Sequence, residues 1–224
     1  MPVNNRIADA QPEIAGWRQH LHQRPELLYE VHETAAFVAG KLRDFGCDEV
    51  ITGMGRTGVV GLVHGRSGAG GPMIGLRADM DALPITEETG VAYASKVPGM
   101  MHACGHDGHT TMLLAAGRSL CETRAFGGTV ALIFQPAEEG GAGAKAMIDD
   151  GLFERLPLSR VYGMHNLPGM PVGRFGMRGG PIMASTDEFV ITVDGRGGHA
   201  ALPHRTVDPI VVGAAIVQGL QAIV

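Results

Sequence analysis

Apolar residues recur at helical spacing through the first 45 residues of the chain. They fall into two segments separated by RPEL, with Ile14, Trp17 and Leu21 in the first and Ala35, Phe37, Val38 and Leu42 in the second. Apolar positions three or four residues apart share one face of a helix, and that face packs on a core. The pattern therefore predicts two helices.

After Gly46 the pattern changes to short β-rich runs bounded by glycines. The runs that predict strands are DEVIT, TGVVGLVHG, GPMIGLRADMD, GTVALIFQP and SRVYGMHN. Helical spacing returns from Asp107 to about Arg124 and in AGAKAMIDDGLF, which lie between those runs. Strands that alternate with helices indicate an α/β domain with a mostly parallel sheet and helices on both faces.

A second region begins near residue 186. The segment DEFVITVDGRGG alternates apolar and polar residues, which predicts a half-exposed strand, and a helix is predicted from Val207. We therefore divide the chain into residues 1–185 and residues 186–224, the second being a small α+β domain. The last helix ends on apolar residues without a glycine or asparagine stop signal. We expect the chain to be the front portion of a longer protein, with its second domain incomplete.

The composition is that of a soluble globular protein, with 45% hydrophobic and 18% charged residues. A net charge of −5 and the lack of a long basic run argue against nucleic acid as a partner. Three widely spaced cysteines argue against a disulfide framework and indicate a reducing compartment. The N-terminus has no signal-peptide pattern, and PIVVGAAIVQGLQAIV is too short for a membrane span. We expect a cytoplasmic protein that does not bind membranes.

Three of the predicted strands end in residues that can bind metal. These residues are Asp79, Asp81, Glu138, Glu139 and His165. The loop MHACGHDGHT, which contains Cys104 and His106, precedes a predicted helix. Because ligands of open α/β sheets bind beyond the carboxyl ends of the strands, we expect these segments to converge on one metal site.

A single residue separates Cys104 and His106, so in an extended loop both side chains project the same way. A thiolate and an imidazole are good ligands for Zn²⁺ and similar transition-metal ions. The alternative is a polar loop with a buried free cysteine. The loop lacks the paired spacings of a zinc finger and the C-x-x-C of a thioredoxin-like motif, which disfavours a thiol-redox function. His109, one helical turn after His106, is either a further ligand or a residue that orients one.

Glu138 and Glu139 follow a strongly apolar run, where two adjacent carboxylates repel one another and resist ionisation. A cation relieves that conflict. Neighbours in an extended segment point to different sides, so one carboxylate can bind metal while the other acts as a general base on water. The alternative is a solvated pair at the start of a helix.

The remaining candidates also have two interpretations each. Asp79 and Asp81 project to the same side, where one binds the metal or orients a ligating histidine; alternatively they accept backbone N–H groups in a turn. If His165 is not a metal ligand, it is a core histidine. If His199, in GRGGHAALPH, has no role at the site, it is an exposed loop histidine.

Six segments together resemble the amidohydrolase branch of the dinuclear-metal aminoacylase and carboxypeptidase family, which includes hippurate hydrolases and the auxin-conjugate hydrolases of plants. In chain order they are RQHLHQRPEL, GLRADMDALP, MHACGHDGHT, FQPAEEGGAGA, GMHNLPGMPVG and GGHAALPH. The resemblance covers essentially the whole chain. It implies a zinc-exopeptidase-like catalytic fold for residues 1–185 and the start of a lid or dimerisation domain for residues 186–224.

The resemblance also implies a role for each candidate residue. The implied metal ligands are Cys104, His106, Glu139 and His165. Glu138 resembles the general base that deprotonates the attacking water, Asp81 a carboxylate beside the metal site, and His199 a histidine that helps to hold the oxyanion. The implied cofactor is one or two divalent ions per subunit, Mn²⁺ or Zn²⁺ or else Ni²⁺ or Co²⁺.

The function that the resemblance implies is metal-dependent hydrolysis of the amide bond of small N-acylated amino acids, by a homodimer joined through the second domain. One alternative is an aminopeptidase or an N-acetyl-diaminopimelate deacetylase of the same family. Another is an inactive metal-binding fragment, because the family's C-terminal half carries a further metal-binding histidine.

Overall fold

The computed structural model describes residues 5–67, 70–185 and 187–223. It divides into two compact units, Met1–Gly169 and Met170–Val224. The boundary expected from the sequence, between residues 185 and 186, lies inside the second unit and stays a prediction.

The first unit alternates helices and strands along the chain. Its helices are α1 (Asn5–Asp9), α2 (Gln11–His22), α3 (His32–Asp44), α4 (His106–Thr123), α5 (Gly143–Asp149) and α6 (Leu152–Arg155). Its strands are β1 (Glu49–Met54), β2 (Gly58–His64), β3 (Met73–Asp79), β4 (Thr129–Gln135) and β5 (Leu158–Gly163). Helices α2 and α3 bury the apolar positions that predicted them, including Trp17, Leu21, Val38 and Leu42.

The five strands form one sheet in the order β1-β2-β4-β3-β5. Strands β4, β3 and β5 are parallel neighbours, whereas β1–β2 and β2–β4 pair antiparallel. The sheet is therefore mixed, and it is mostly parallel as predicted: β1, β4, β3 and β5 run in one direction and β2 runs opposite. Only the short turn at residues 55–57 joins β1 to β2, and a connection this short permits only antiparallel pairing. Between β3 and β4, the segment with α4 provides the long crossover that parallel strands need.

Helices cover both faces of the sheet, as predicted. On one face, Val59 and Phe134 pack with Val38 of α3 and Leu114 of α4. On the other face, the strand residues that alternate with these pack with α5 and α6. That second cluster includes Val60, Leu62, Ala131, Ile133, Met147 and Leu152. Alternate side chains of a strand point to opposite faces, so a strand buried on both faces is apolar throughout.

The three parallel strands determine where polar side chains meet. Because β4, β3 and β5 run in the same direction, their carboxyl ends lie at one edge of the sheet. Asp79 ends β3, Glu138 and Glu139 follow β4, and His165 follows β5. Strand β5 is the last in the sheet order, and five of its six residues are exposed.

The second unit contains a short 3₁₀ helix (Pro203–Arg205) and helix α7 (Pro209–Gln221), which confirms the helix predicted after Val207. Asp208 caps α7 by accepting a hydrogen bond from the Ile210 N–H at 2.9 Å. The strand predicted for residues 187–198 is wrong: the segment forms only one bridge, between Arg196 and Val207. No strand among the described residues lies beside this segment. Phe189 and Val190 would face opposite sides of a strand, yet both are exposed.

The helices formed by the described residues include none long and apolar enough to cross a membrane.

Candidate metal centre

His106 lies at the middle of the candidate centre and is completely buried. Its Nδ1–H donates to the backbone carbonyl of Asp81 at 2.8 Å. A carbonyl oxygen only accepts, so this bond places the ring proton on Nδ1 and leaves a lone pair on Nε2. That nitrogen lies 3.7 Å from a carboxylate oxygen of Glu139 and 3.9 Å from one of Glu138.

Gly105 brings Cys104 and His106 to the same place. It precedes α4 with a left-handed φ of 87°, a conformation that glycine adopts without strain. A Cβ atom at this position would lie 2.5 Å from the side-chain oxygen of Asn166. The sequence interpretation assumed an extended loop. The structure has a glycine turn instead, and this turn aligns the two side chains.

Glu138 and Glu139 are held by one buried carboxylate. The two oxygens of Asp81 accept the backbone N–H groups of Glu138 and Glu139 at 3.0 and 3.1 Å. Ala137 precedes them with a left-handed φ of 51°, which turns the chain out of the strand. Both glutamate side chains therefore approach His106, which corrects the expectation that they point to different sides.

Cys104 and His165 also meet beside His106. The Cys104 Sγ lies 3.3 Å from the His165 Nε2, and the His165 Nδ1–H donates to the carbonyl of Asn166 at 2.7 Å. His165 thus has the same tautomer as His106, with its Nε2 lone pair directed into the cluster. Both imidazoles are oriented by backbone carbonyls, as ligating histidines are in metal sites.

His109 supports this arrangement, because both of its ring nitrogens have partners. Its Nδ1–H donates to the carboxylate of Asp79 at 2.7 Å, and its Nε2 accepts the backbone N–H of Asn166 at 3.0 Å. Arg77 donates to the other oxygen of Asp79 at 2.7 Å. Of the two roles considered for His109, the structure favours orientation: it ties α4 to the segment that carries His165.

The charges around Asp79 favour its ionised form. Burial raises the pKa of Asp79, but the hydrogen bond from His109 and the charges of Arg77 and His106 outweigh that effect and lower it to about 2. Asp79 is therefore an acceptor throughout the physiological range.

The charges of the carboxylates act on the two candidate ligands of the loop. Burial lowers the pKa of His106, yet the hydrogen bond to Asp81 and nearby carboxylates outweigh burial and raise it. Burial and the charge of Glu139 raise the pKa of Cys104 to about 12. A cluster with this much negative charge favours a cation.

The residues present fit a divalent metal. The buried Nε2 of His106 and an oxygen of Glu139 have no hydrogen-bond partner in the part of the chain that the structure describes. A buried polar atom without a partner is costly, and a cation that both atoms bind would satisfy them. Donor atoms within 4.8 Å of one another occur in Cys104, His106 and His165, and again in His106, Glu138 and Glu139. Thiolate, imidazole and carboxylate donors suit Zn²⁺ and similar ions.

A third cluster of possible ligands, formed by Asp79, His106 and His109, is less suited to a metal. Its members already satisfy one another, because His109 uses both nitrogens and Asp79 accepts from His109 and Arg77. We therefore leave Asp79 and His109 out of the candidate ligand set.

A buried polar network beside the centre had no signal in the sequence pattern. His22 of α2 contacts Asp107 through Nδ1 at 2.8 Å and Glu87 through Nε2 at 3.2 Å. Arg18 of α2 donates to the same Asp107 oxygen at 3.0 Å. These bonds anchor the first turn of α4, directly after His106, and they join residues more than sixty positions apart.

The sequence analysis also assigned His199 to the site. It belongs to the second unit, where its exposed side chain accepts the Ala201 N–H at 3.2 Å. Its catalytic role stays a prediction.

This fold and donor set define an α/β domain with a candidate divalent-metal centre at the carboxyl edge of its parallel strands. The chain belongs to peptidase family M20/M25/M40, whose family model matches residues 75–222. The family resemblance of the six sequence motifs is thereby confirmed.

Two relatives and one solved structure illustrate the match. The chain is 48% identical over 218 residues to a hippurate hydrolase from Campylobacter jejuni, covering 97% of this chain and 56% of the relative. It is 46% identical over 224 residues to an N-acetyl-L-cysteine deacetylase from Bacillus subtilis, covering 100% and 52%. A dinuclear metal binding peptidase of the M20 family from Bacillus subtilis superposes with a TM-score of 0.72 at 39% identity, covering 80% and 48%. The chain thus spans about half the length of the curated relatives it matches.

Proposed function

We propose that this chain carries the metal-binding part of an amidohydrolase that cleaves N-acylated amino acids. The observation that carries the proposal is the arrangement around His106. Two imidazoles of the same tautomer, a thiol and two glutamates converge there, and the central nitrogen has no hydrogen-bond partner among the described residues.

Cys104, His106, Glu139 and His165 would hold one or two divalent ions, Mn²⁺ or Zn²⁺ or else Ni²⁺ or Co²⁺. Such an ion, when bound, polarises the scissile carbonyl and makes water more acidic. Glu139 is the more buried of the two glutamates, with 18% of its side chain exposed against 39% for Glu138. The more buried carboxylate suits the ligand role, because a buried charge needs a partner.

Glu138 is the proposed general base. Its carboxylate lies close to His106 but remains open to solvent, so it can reach a water molecule and the leaving amine. It would take a proton from the attacking water and deliver it to the amine nitrogen, which leaves as an amino acid. Asp81 holds the amide of Glu138 in place during both transfers. His199 would donate a hydrogen bond to the oxyanion.

The substrate class rests on the names of the relatives. A hippurate hydrolase and an N-acetyl-L-cysteine deacetylase both act on an amino acid that carries an acyl group on nitrogen. We propose that this protein also hydrolyses N-acylated amino acids, and that it does so as a cytoplasmic homodimer joined through residues 186–224.

The test combines metal content with turnover. The protein is stripped with a chelator, reloaded with Mn²⁺ or Zn²⁺, and assayed on N-benzoylglycine and N-acetylcysteine. We expect Glu138→Ala to retain metal but to lose roughly 10²–10⁴-fold in kcat, because a general base contributes about that much. Cys104→Ala should lose metal and, with it, activity.

Glu154→Ala is the matched control, because Glu154 is an exposed glutamate of α6 away from the cluster. It should retain both metal and turnover. Equal metal content in the wild type and in a folded Cys104→Ala/His106→Ala double variant would reject the assigned ligands.

A further inference from the structure

Two of the three cysteines meet at the opposite end of α4 from the candidate metal centre. Cys121 lies in the last turn of α4, and Cys47 lies in the loop between α3 and β1. Their sulfur atoms are 3.6 Å apart although the residues are separated by 74 positions in the sequence. Both are free thiols, with Cys121 buried and Cys47 partly exposed.

The surrounding structure holds the two segments together independently of the sulfurs. Arg124, just after α4, donates to both carboxylate oxygens of Asp48 at 3.0 and 2.8 Å and to the carbonyl of Gly46 at 2.8 Å. Gly46 and Asp48 are the two neighbours of Cys47. The Cys47 N–H donates to the carbonyl of Leu42 at 3.1 Å, which fixes the loop on α3. The thiols are therefore presented to one another by a hydrogen-bonded clamp.

The two thiols are not equivalent. The hydrogen bond shared with Cys47, in which either sulfur can donate, and the nearby charge of Arg124 lower the pKa of Cys121, although burial opposes them. The same hydrogen bond and burial raise the pKa of Cys47. Cys121 is thus the sulfur that forms a thiolate first, and the thiolate is the nucleophile in thiol oxidation.

We propose that Cys47 and Cys121 form a reversible disulfide when the protein meets hydrogen peroxide or another small hydroperoxide. This proposal is independent of the proposed amidohydrolase function. A disulfide needs two sulfurs that can approach to about 2 Å without moving the backbone far, and the clamp already brings them near that separation.

A peroxide would oxidise the two thiols in two steps. The Cys121 thiolate attacks one peroxide oxygen, the O–O bond breaks, and the leaving hydroxide takes up a proton to become water. The resulting sulfenic acid is attacked by the sulfur of Cys47, which loses its proton as the S–S bond forms and the S–O bond breaks. The second hydroxide leaves as water. The two sulfurs lose two electrons in total, and one hydrogen peroxide is reduced to two molecules of water; another hydroperoxide would give its alcohol and one water.

The cross-link would stabilise the fold without changing the candidate metal centre. The disulfide closes a long loop of chain, which restricts the unfolded state. It also ties the end of α4 to the segment before β1. The 18 residues of α4 span about 27 Å, so His106 lies far from the bond. We expect the disulfide to raise Tm by about 5–10 °C.

The experiment maps the bond directly. The protein is treated with a small excess of hydrogen peroxide, free thiols are alkylated, and the digest with trypsin is analysed by mass spectrometry without reduction. Trypsin places Cys47 in peptide 44–56, Cys121 in peptide 119–124 and Cys104 in peptide 97–118. We expect peptides 44–56 and 119–124 to be joined, to separate on reduction, and to form together with the rise in Tm.

Three variants and a measurement in urea serve as controls. Cys47→Ser and Cys121→Ser should each abolish both the linked peptide and the rise in Tm. Arg124→Gln should slow cross-linking severalfold because the clamp is lost, and its linked peptide then extends to Lys145. In concentrated urea the preference for this pair should disappear. The proposal would be overturned if both thiols of the wild type remain free after peroxide treatment and are alkylated. It would also be overturned if the Cys47–Cys121 disulfide forms equally fast in urea.

Discussion

Asp81 uses three of its polar atoms to build the candidate centre. Its carbonyl orients His106, and its two carboxylate oxygens hold the amides of Glu138 and Glu139. The residue is buried, so none of these bonds competes with bulk water. At the scale of a single residue, the position of the donors around His106 depends on one residue that is not itself a candidate ligand.

Asp81→Asn should weaken metal binding by about 10–100-fold, the usual cost of losing a residue that orients ligands. An asparagine presents an NH₂ group to one of the two amides, so one hydrogen bond is lost and two donors face each other. Competition with a chelating dye measures the affinity. Asp149→Asn, at an exposed surface pair with Lys145, is the control and should bind as the wild type does. Unchanged affinity in Asp81→Asn would contradict this role.

At the scale of the element, α4 is the organising helix. It begins with His106, supplies His109 one turn later, and ends beside the clamp formed by Arg124. Its first residues are fixed on one side by Asp79 and on the other by the network of Arg18 and His22. The start of this helix therefore determines where two of the candidate donors lie.

Gly105→Ala should destabilise the protein by about 1–3 kcal/mol, since alanine is strained at a φ of 87° and its Cβ would collide with Asn166. The collision displaces the neighbour of His165, so metal affinity should also fall. Thermal unfolding and the dye competition report the two effects. Gly108→Ala is the matched control, because a Cβ there meets nothing closer than 4.0 Å. It should be neutral or slightly stabilising. Equal effects of the two substitutions would show that strain and the collision with Asn166 are not the cause of the destabilisation.

At the scale of the whole molecule, burial makes stability depend on pH. His102 is 4% exposed, and neither ring nitrogen has a hydrogen-bond partner among the residues that the structure describes. Burial lowers the pKa of His102 to about 4, compared with about 6.5 in the unfolded chain. Between these values the unfolded chain binds a proton and the folded protein does not.

The folded state should therefore lose up to about 3 kcal/mol from His102 as the pH falls from about 6.5 to about 4, and lose no more from this residue below that range. Denaturant unfolding of metal-free protein at pH 7 and pH 4.5 measures the loss. His102→Phe should flatten this dependence, whereas His32→Gln, at an exposed histidine, should leave it unchanged. An identical pH slope in His102→Phe and wild type would refute the assignment.

Much of the fold and of the site could be predicted from periodicity and strand ends. The rule that ligands gather at the carboxyl ends of parallel strands places Asp79, Glu139 and His165 at one edge, where the structure has them. Side-chain direction was less predictable, because the left-handed turns at Gly105 and Ala137 replace the extended segments that alternation assumes.

Contacts between distant elements could not be predicted. The pairing of Cys47 with Cys121 and of His22 with Asp107 depends on how each helix lies on its neighbours, which no local pattern encodes. The strand expected at residues 187–198 fails for a related reason. An alternating segment becomes a strand only when another strand supplies its hydrogen bonds.

The position of β5 at the end of the sheet order affects how well its backbone amides are protected from hydrogen exchange. Strand β4 lies between β2 and β3, so its amides are shielded from deuterium on both sides, whereas β5 pairs only with β3 among the described strands and its residues are largely exposed. Isotope exchange should therefore advance inward from β5 towards β4.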